Sequence, residues 1–383
     1  MSAFKGPKYL IASDIPLAAL QLHGTSHHAL KKAHDQYGDV VRIGPTTLSF
    51  INPSAWNDIY GYRKGRAALP KDPQFYNEML LDRKTITMAS DDDAVPIRKA
   101  MNPAFSHKAL LEQEAMIQSH LQRLMTHLTK ASYDDHGSQN RSVDLREWLT
   151  FSMFDINSDF VFGEDMGCVA SGSFHEWVQF VIDYFYAATL LHQLYKFIPL
   201  NKRVPDFFIP KSVREQHQRH TEASLQRVRA RMNRKIDRPD FMHHFLQHAV
   251  KEGLSTPTIE AQASVVILAG SETSSVALTA AVFHILSNSH VYERLRKEVR
   301  GRFEMKENIT LPNVLSLPYL EAVVQETLRI HTPLANGFTR VVADAKGAMI
   351  SGNRVPHGVS QTPLFLITLT TDSFILAIDS YGF

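Results

Sequence analysis

Residues 269–274 read Ala-Gly-Ser-Glu-Thr-Ser and lie in the middle of a long apolar stretch, residues 256–288. Past Glu260 this stretch is mostly uncharged and apolar nearly all round, a pattern that predicts a helix through the middle of a core. The one acid in its middle, Glu272, is conspicuous because burying a carboxylate is costly. The stretch therefore predicts a central helix and marks where chemistry could take place on it.

The small residues of this motif permit two interpretations. Ala269 and Gly270 would let a flat ligand approach the helix backbone closely. Thr273 follows Ala269 by four residues, so its hydroxyl can bond the Ala269 carbonyl, bend the helix and free polar groups for a ligand. Alternatively, the small residues merely allow neighbouring helices to pack tightly. The motif alone leaves both interpretations open.

A second motif follows on a later predicted helix. Glu326 and Arg329 are three residues apart, the spacing at which a carboxylate and a guanidinium on one helical face can pair. A bare Glu-x-x-Arg is a weak signal. It gains weight from residues 317–322 before it, which read Leu-Pro-Tyr-Leu-Glu-Ala, and from Thr332-Pro333 after it.

Composition excludes several classes of protein. The chain has 383 residues, of which 44% are hydrophobic, and its 41 Lys and Arg nearly balance 39 Asp and Glu. It therefore lacks the basic surplus that suits a nucleic-acid partner, and we expect none. The single cysteine, Cys168, excludes an internal disulfide framework and a multi-cysteine zinc site. No repeat or low-complexity linker divides the chain, which favours one compact domain.

Other segments complete a mainly α pattern with a small β region. Residues 40–44 and 47–51 predict a hairpin. Ser106 is placed to cap a helix that reaches Leu128. Further helices are expected at residues 145–162, 173–191, 212–236 and 241–251, and short β segments at residues 339–342 and 348–351.

Taken together, the two motifs resemble those of the cytochrome P-450 monooxygenases, and residues 37–42, 102–106 and 154–163 also look like segments of fungal members. The resemblance covers about residues 7–357. It implies the mainly α cytochrome P-450 fold with its carboxy-terminal part missing. It also implies a haem (heme) cofactor, electrons from NADPH through NADPH-cytochrome P-450 reductase, and hydroxylation or epoxidation of an apolar small molecule in fungal secondary metabolism.

The resemblance implies roles for residues of the central helix. Glu272 and Thr273 would be the catalytic pair that relays protons at the oxygen pocket. Ala269 and Gly270 would lie against the haem.

It implies roles elsewhere as well. Arg98 and Arg340 would contact the haem propionates, although Ala94 stands where the family has an aromatic residue or histidine four residues before Arg98. Glu326 and Arg329 would form a structural pair that supports the core beneath the haem.

The sequence departs from the family at the iron ligand. Cytochromes P-450 bind iron through a cysteine that follows the Glu-x-x-Arg helix, but Cys168 lies far upstream and no cysteine comes later. We therefore predict no metal ligand in this chain, which leaves a non-catalytic relic or helical binding protein as the alternative. We assign residues 1–357 to a partial family domain and residues 358–383 to a tail outside it, and expect the tail from Val359 onward to stay outside the core.

Two further expectations concern location and metals. The resemblance implies the endoplasmic reticulum membrane surface, but no membrane anchor is visible, and a cytoplasmic location is the alternative. His244 and His248 have the spacing to share a metal, but Phe245 stands where a zinc protease has its glutamate. We interpret these histidines as part of a surface helix.

Overall fold

The computed structural model describes residues 1–61, 69–73, 75–76, 85–133, 142–176, 178–179, 193, 222, 225–234, 238–334 and 337–363. The chain divides into two compact units. One comprises residues 1–80, 187–207 and 328–383, and the other comprises residues 81–186 and 208–327. The helices expected at residues 173–191 and 212–236 lie largely outside the described residues.

Helices dominate the described residues, in agreement with the predicted mainly α class. In chain order they are α1 (Lys8–Ala12), α2 (Ile15–Leu22), α3 (Ser26–Tyr37), α4 (Ser54–Ile59), α5 (Asp91–Met101), α6 (His107–Glu112), α7 (Glu114–Ala131), α8 (Leu145–Phe162), α9 (Cys168–Ser171), α10 (Phe241–Lys251), α11 (Thr256–Ser287), α12 (Ser289–Arg302), α13 (Leu311–Val314) and α14 (Pro318–Ile330). Short 3-10 helices occupy Asn102–Phe105 and Lys306–Asn308.

Helix α8 has the bounds that the sequence predicts, and its local signals explain them. The Asp144 carboxylate accepts hydrogen bonds from the backbone N–H groups of Arg146 and Glu147, and so caps the amino terminus. Gly163 ends the helix at φ +74°, a left-handed conformation that favours glycine. Between these ends, α8 buries a row of side chains that includes Phe151, Phe154, Val161 and Phe162.

Helix α11 is the predicted central helix. Ser255 caps it by accepting a hydrogen bond from the Thr258 N–H, and its first half is buried from Ile259 to Ser264 and again at Ile267. Its most extensive packing is against α8. Within the part of the chain that the structure describes, only α11 is long and apolar enough to cross a bilayer. Its packing on α8 accounts for the apolar character of its buried first half.

The helix predicted from Ser106 to Leu128 is two helices. Ser106 caps the first as expected, because its hydroxyl oxygen accepts a hydrogen bond from the Ala109 N–H at 3.2 Å. Gln113 then separates α6 from α7, and its side-chain amide donates to the Ala109 carbonyl at 2.9 Å. The prediction of one continuous helix was wrong because a glutamine gives no sequence signal for a break.

The other unit contains a four-stranded sheet in the order β1 (Val40–Arg42), β2 (Thr47–Phe50), β6 (Ser360–Pro363), β3 (Arg340–Val341). Strands β1 and β2 pair antiparallel, which confirms the predicted hairpin. Strands β4 (Ala348–Ile350) and β5 (Asn353–Val355) form a separate hairpin. Leu48, Phe50, Ile350 and Val355 are fully buried in the core of this unit.

Strand β6 corrects the expectation for the tail. Val359 is buried in this core, and β6 pairs parallel with β2 and antiparallel with β3. The prediction that the chain leaves the core at Val359 was therefore wrong for residues 359–363. Their partner strand lies some 300 residues earlier, a long-range pairing that no local pattern in this short polar segment indicates. Residues 364–383 lie outside the described residues.

Candidate active site on the central helix

One side of α11 packs closely on α8 at the Ala-Gly-Ser-Glu-Thr-Ser motif. A Cβ atom placed on Gly270 would lie 2.5 Å from Asn157 Oδ1 of α8, so only glycine fits this approach. The Ser271 hydroxyl is buried and donates to the Ile267 carbonyl at 2.8 Å. Tight helix packing, the alternative interpretation of the small residues, thus accounts for Gly270.

The other side of the same helical turn is open. Ala269 is exposed and Thr273 is half-buried. The Thr273 hydroxyl donates a hydrogen bond to the Ala269 carbonyl at 2.7 Å, which is the bond that the four-residue spacing predicts. The Ala269 carbonyl thus accepts a second hydrogen bond, a type of side-chain bond that often bends a helix slightly.

Glu272 lies on this open side. Its side chain is exposed overall, but the surrounding protein removes enough water from the carboxyl that burial raises the pKa of Glu272 above the ordinary glutamate value. A carboxyl whose pKa is raised holds its proton to higher pH, and can therefore donate a proton where an ordinary glutamate would not. The turn thus presents an acid, an alcohol and an exposed alanine together.

Helix α14 carries the second motif, and its start is held firmly. Both Glu298 carboxylate oxygens of α12 accept hydrogen bonds, from the Tyr319 and Leu320 N–H groups, each at 2.9 Å. Glu326 and Arg329 follow on α14, both half-buried. The structure therefore gives both residues the helical placement that the motif requires.

The two candidate propionate ligands lie in different units. Arg98 is exposed on α5. Arg340 is half-buried on β3, where its guanidinium donates to the Leu69 carbonyl at 3.3 Å and lies 5.7 Å from the centre of the Tyr60 ring. The Tyr60 hydroxyl in turn donates to the Phe338 carbonyl. Arg340 is thus held by an aromatic face and a backbone carbonyl.

Cys168 begins α9 and is fully buried. The Asp155 carboxylate accepts hydrogen bonds from the Cys168 and Val169 N–H groups, each at 2.9 Å. Burial is the main cause that raises the pKa of the Cys168 thiol to about 12. The residue is therefore a protonated, apolar core side chain.

Comparison with known proteins identifies the family. The cytochrome P-450 family model matches residues 13–364. The chain belongs to the cytochrome P-450 family. It is similar to the fungal cytochrome P-450 monooxygenase astD of Aspergillus oryzae, with 45% identity over 93% of this chain and 68% of that protein. It is also similar to the cytochrome P-450 monooxygenase astA of Talaromyces wortmannii, with 34% identity over 93% of this chain and 71% of that protein. A third similar protein is the cytochrome P-450 monooxygenase atr2 of Stereocaulon alpinum, with 32% identity over 94% of this chain and 70% of that protein. These relatives are monooxygenases, so the family is one of oxidoreductases.

Haem is the cofactor of this family, and the residues present supply only part of the site that haem requires. The open turn of α11 suits the flat face of a porphyrin, and Arg340 suits a carboxylate. The iron ligand does not fit, because the protonated Cys168 is the only cysteine in the 383 residues and cytochromes P-450 require a thiolate. Among the described residues, no group of three His, Cys, Asp or Glu is arranged to hold a metal ion.

His244 and His248 of α10, which the sequence predicts to lie on a surface helix, are half-buried. His248 donates from Nδ1 to the His244 carbonyl at 2.9 Å. His244 Nε2 lies 3.1 Å from a Glu112 carboxylate oxygen of α6. The two side chains thus have separate partners and do not converge on a common point.

Sequence reasoning missed two residues that contact predicted site residues. Asn157 contacts Gly270 across the helix interface, and Tyr60 lies against Arg340. A glycine in mid-helix signals a close approach, but it does not name the residue that approaches. Nothing in the sequence links Tyr60 to a strand 280 residues later.

Proposed function

We propose that this chain has the architecture of a haem-thiolate monooxygenase that hydroxylates or epoxidises an apolar small molecule in fungal secondary metabolism. The single observation that carries the proposal is the open turn of α11, where the Thr273 hydroxyl bonds the Ala269 carbonyl beside a carboxyl of raised pKa, Glu272. An acid and an alcohol on an open helix face are the groups that a proton relay needs.

Each residue then has a role that this chain performs itself. The Glu272 carboxyl holds a proton, and the Thr273 hydroxyl, free to rotate between the Ala269 carbonyl and the open side, passes it on. Ala269 keeps the helix backbone accessible to a flat group on the open side, whereas Gly270 faces α8. Haem held by a thiolate supplies the oxygen chemistry of the family when bound.

The remaining assignments follow the family resemblance. Arg98 and Arg340 would each neutralise one haem carboxylate. Glu326 and Arg329 would pair to support the core. NADPH-cytochrome P-450 reductase would deliver the electrons, and the endoplasmic reticulum membrane surface is the location that this partner implies.

A second candidate function is favoured by the iron ligand. A polypeptide of these 383 residues offers no thiolate, because Cys168 is buried and protonated. On its own such a polypeptide would be a helical binding protein with the family fold and without oxygenase activity. The two candidates differ in what they need, since only the enzyme needs a cysteine from outside these residues.

A chimeric protein distinguishes the two candidate functions. Residues 1–363 would be joined to the part of astD that follows the matched region, and the product would be assayed with NADPH, reductase and a panel of apolar substrates. We expect NADPH-dependent hydroxylation or epoxidation that falls roughly 100-fold or more in Glu272→Gln and Thr273→Ala variants, since 100-fold is the lower end of the contribution that general acid–base groups make. A chimera that binds haem through its cysteine but oxidises nothing, or that ignores both substitutions, would contradict the proposal.

A further inference from the structure

Asn157 of α8 lies close to Gly270 of the motif on α11. A Cβ on Gly270 would lie 2.5 Å from Asn157 Oδ1 and 3.1 Å from Asn157 Cγ. Real Cβ atoms do not come so near, so the carboxamide occupies the space that any other residue at position 270 would need. Asn157 therefore sets how closely α11 lies against α8.

The carboxamide is not free to move away. Asn157 Nδ2 donates to the Met153 carbonyl at 2.8 Å, one turn earlier in α8. The Ser271 hydroxyl, which bonds the Ile267 carbonyl, also lies 3.4 Å from the same Met153 carbonyl. The two helices thus meet through a close steric contact at Gly270 and a hydrogen bond from Ser271, in addition to their apolar packing.

The proposed catalytic pair, Glu272 and Thr273, lies on the opposite side of the same turn of α11. Ala269 and Thr273, joined by a 2.7 Å hydrogen bond, flank Gly270 and Ser271 along the chain. A helical turn moves as a unit because its residues share backbone hydrogen bonds. Any displacement of α11 at Gly270 therefore displaces Glu272 and Thr273.

We propose that Asn157 is a positioning residue, which fixes the place of the Glu272–Thr273 pair by holding α11 at Gly270. The inference rests on the proposed proton relay for its functional meaning. The physical content of the inference, the contact between Asn157 and Gly270 and its effect on Glu272, does not depend on the proton relay.

The first test is a double-mutant cycle on the unmodified chain, followed by thermal unfolding. Gly270→Ala should lower Tm by roughly 2 °C or more, because the new methyl group collides with the carboxamide. Adding Asn157→Ala should restore at least half of that loss. Gly301→Ala on α12 is the matched control, since a Cβ there would meet no atom within 4 Å. Strictly additive losses would overturn the contact.

The second test measures position rather than stability. The carboxyl of Glu272 would be followed by carbon-13 NMR titration, with Glu272→Gln to assign its signal. In Asn157→Ala the pKa of Glu272 should move back toward the ordinary value of about 4.3, because the loosened turn admits water to the carboxyl. In the control Ser158→Ala, which removes a buried hydroxyl of α8 that bonds the Asp155 carbonyl, it should not move.

Equal titration curves in Asn157→Ala and Ser158→Ala would overturn the positioning role, even if the relay itself exists. Conversely, a shifted curve in Asn157→Ala would stand if the chimera failed to oxidise any substrate. The failure of the inference and the failure of the proposed function are therefore distinguishable.

Discussion

The two sides of the central helix α11 differ in what shapes their residues. The side that faces α8 is shaped by packing: Gly270 has no space for a side chain, and the Ser271 hydroxyl is satisfied within the protein. The open side carries an exposed alanine and an acid of raised pKa. Residues one position apart in sequence therefore lie in different environments, a packed helix interface on one side and an open face on the other.

The largest expected effect compares a buried and an exposed position of α11. Ile267 is fully buried, whereas Leu286 near the end of the helix is 65% exposed. Ile267→Ala should lower the free energy of unfolding by about 2–4 kcal/mol through lost burial and a cavity. Leu286→Ala should change it by less than about 0.5 kcal/mol. Urea denaturation of both variants checks the difference, and equal losses would mean that the second half of α11 is also part of a packed core.

A smaller effect compares two hydroxyls. Ser271→Ala should cost about 1 kcal/mol, because a hydrogen bond is lost in a buried interface. Thr273→Ala should leave stability unchanged within about 0.5 kcal/mol, since alanine's higher helix propensity offsets the lost bond to Ala269. Urea denaturation of both variants measures the difference in the free energy of unfolding. A large loss in Thr273→Ala would assign Thr273 a structural role and weaken its place in the relay.

The smallest expected effect concerns Glu272 and pH. Its pKa is raised in the folded protein, so the folded state binds its proton more tightly than the unfolded state does, and stability falls as pH rises from about 4.3 through the folded pKa. Glu272→Gln removes this penalty. The variant should therefore be more stable than the parent at pH 7 by less than about 1 kcal/mol, the exposed position limiting the effect. The gain should shrink as the pH of the unfolding measurement is lowered toward 4, and a gain that grows at low pH would mean that the carboxylate is stabilised.

Local patterns in the sequence predicted much of the structure of helices α8 and α11. The bounds of α8 follow from a capping aspartate and a terminal glycine, and the course of α11 follows from its apolar length. The hydrogen bond from Thr273 to Ala269 follows from helical spacing alone.

What the sequence could not predict depends on distant partners. Strand β6 joins the sheet through β2, far earlier in the chain. The contact of Asn157 with Gly270 joins helices more than a hundred residues apart. Helix α12, in which no residue is buried, is a further case in which the sequence does not reveal the packing partner. Its apolar residues Val291, Leu295 and Val299 share one face and are only half-buried, and they do not indicate which partner that face packs against.

The chain carries an open acid–alcohol turn on its central helix, but its 383 residues supply no thiolate for iron. The ferrous-CO spectrum of a polypeptide of these 383 residues, incubated with haem and reduced, is the decisive measurement, since the axial ligand sets the electronic structure of the iron. We expect any Soret band to lack the red shift that thiolate ligation gives, both in the parent and in Cys168→Ala. A red-shifted band in the parent would contradict the account, and its loss in Cys168→Ala would show that the buried cysteine had become the ligand.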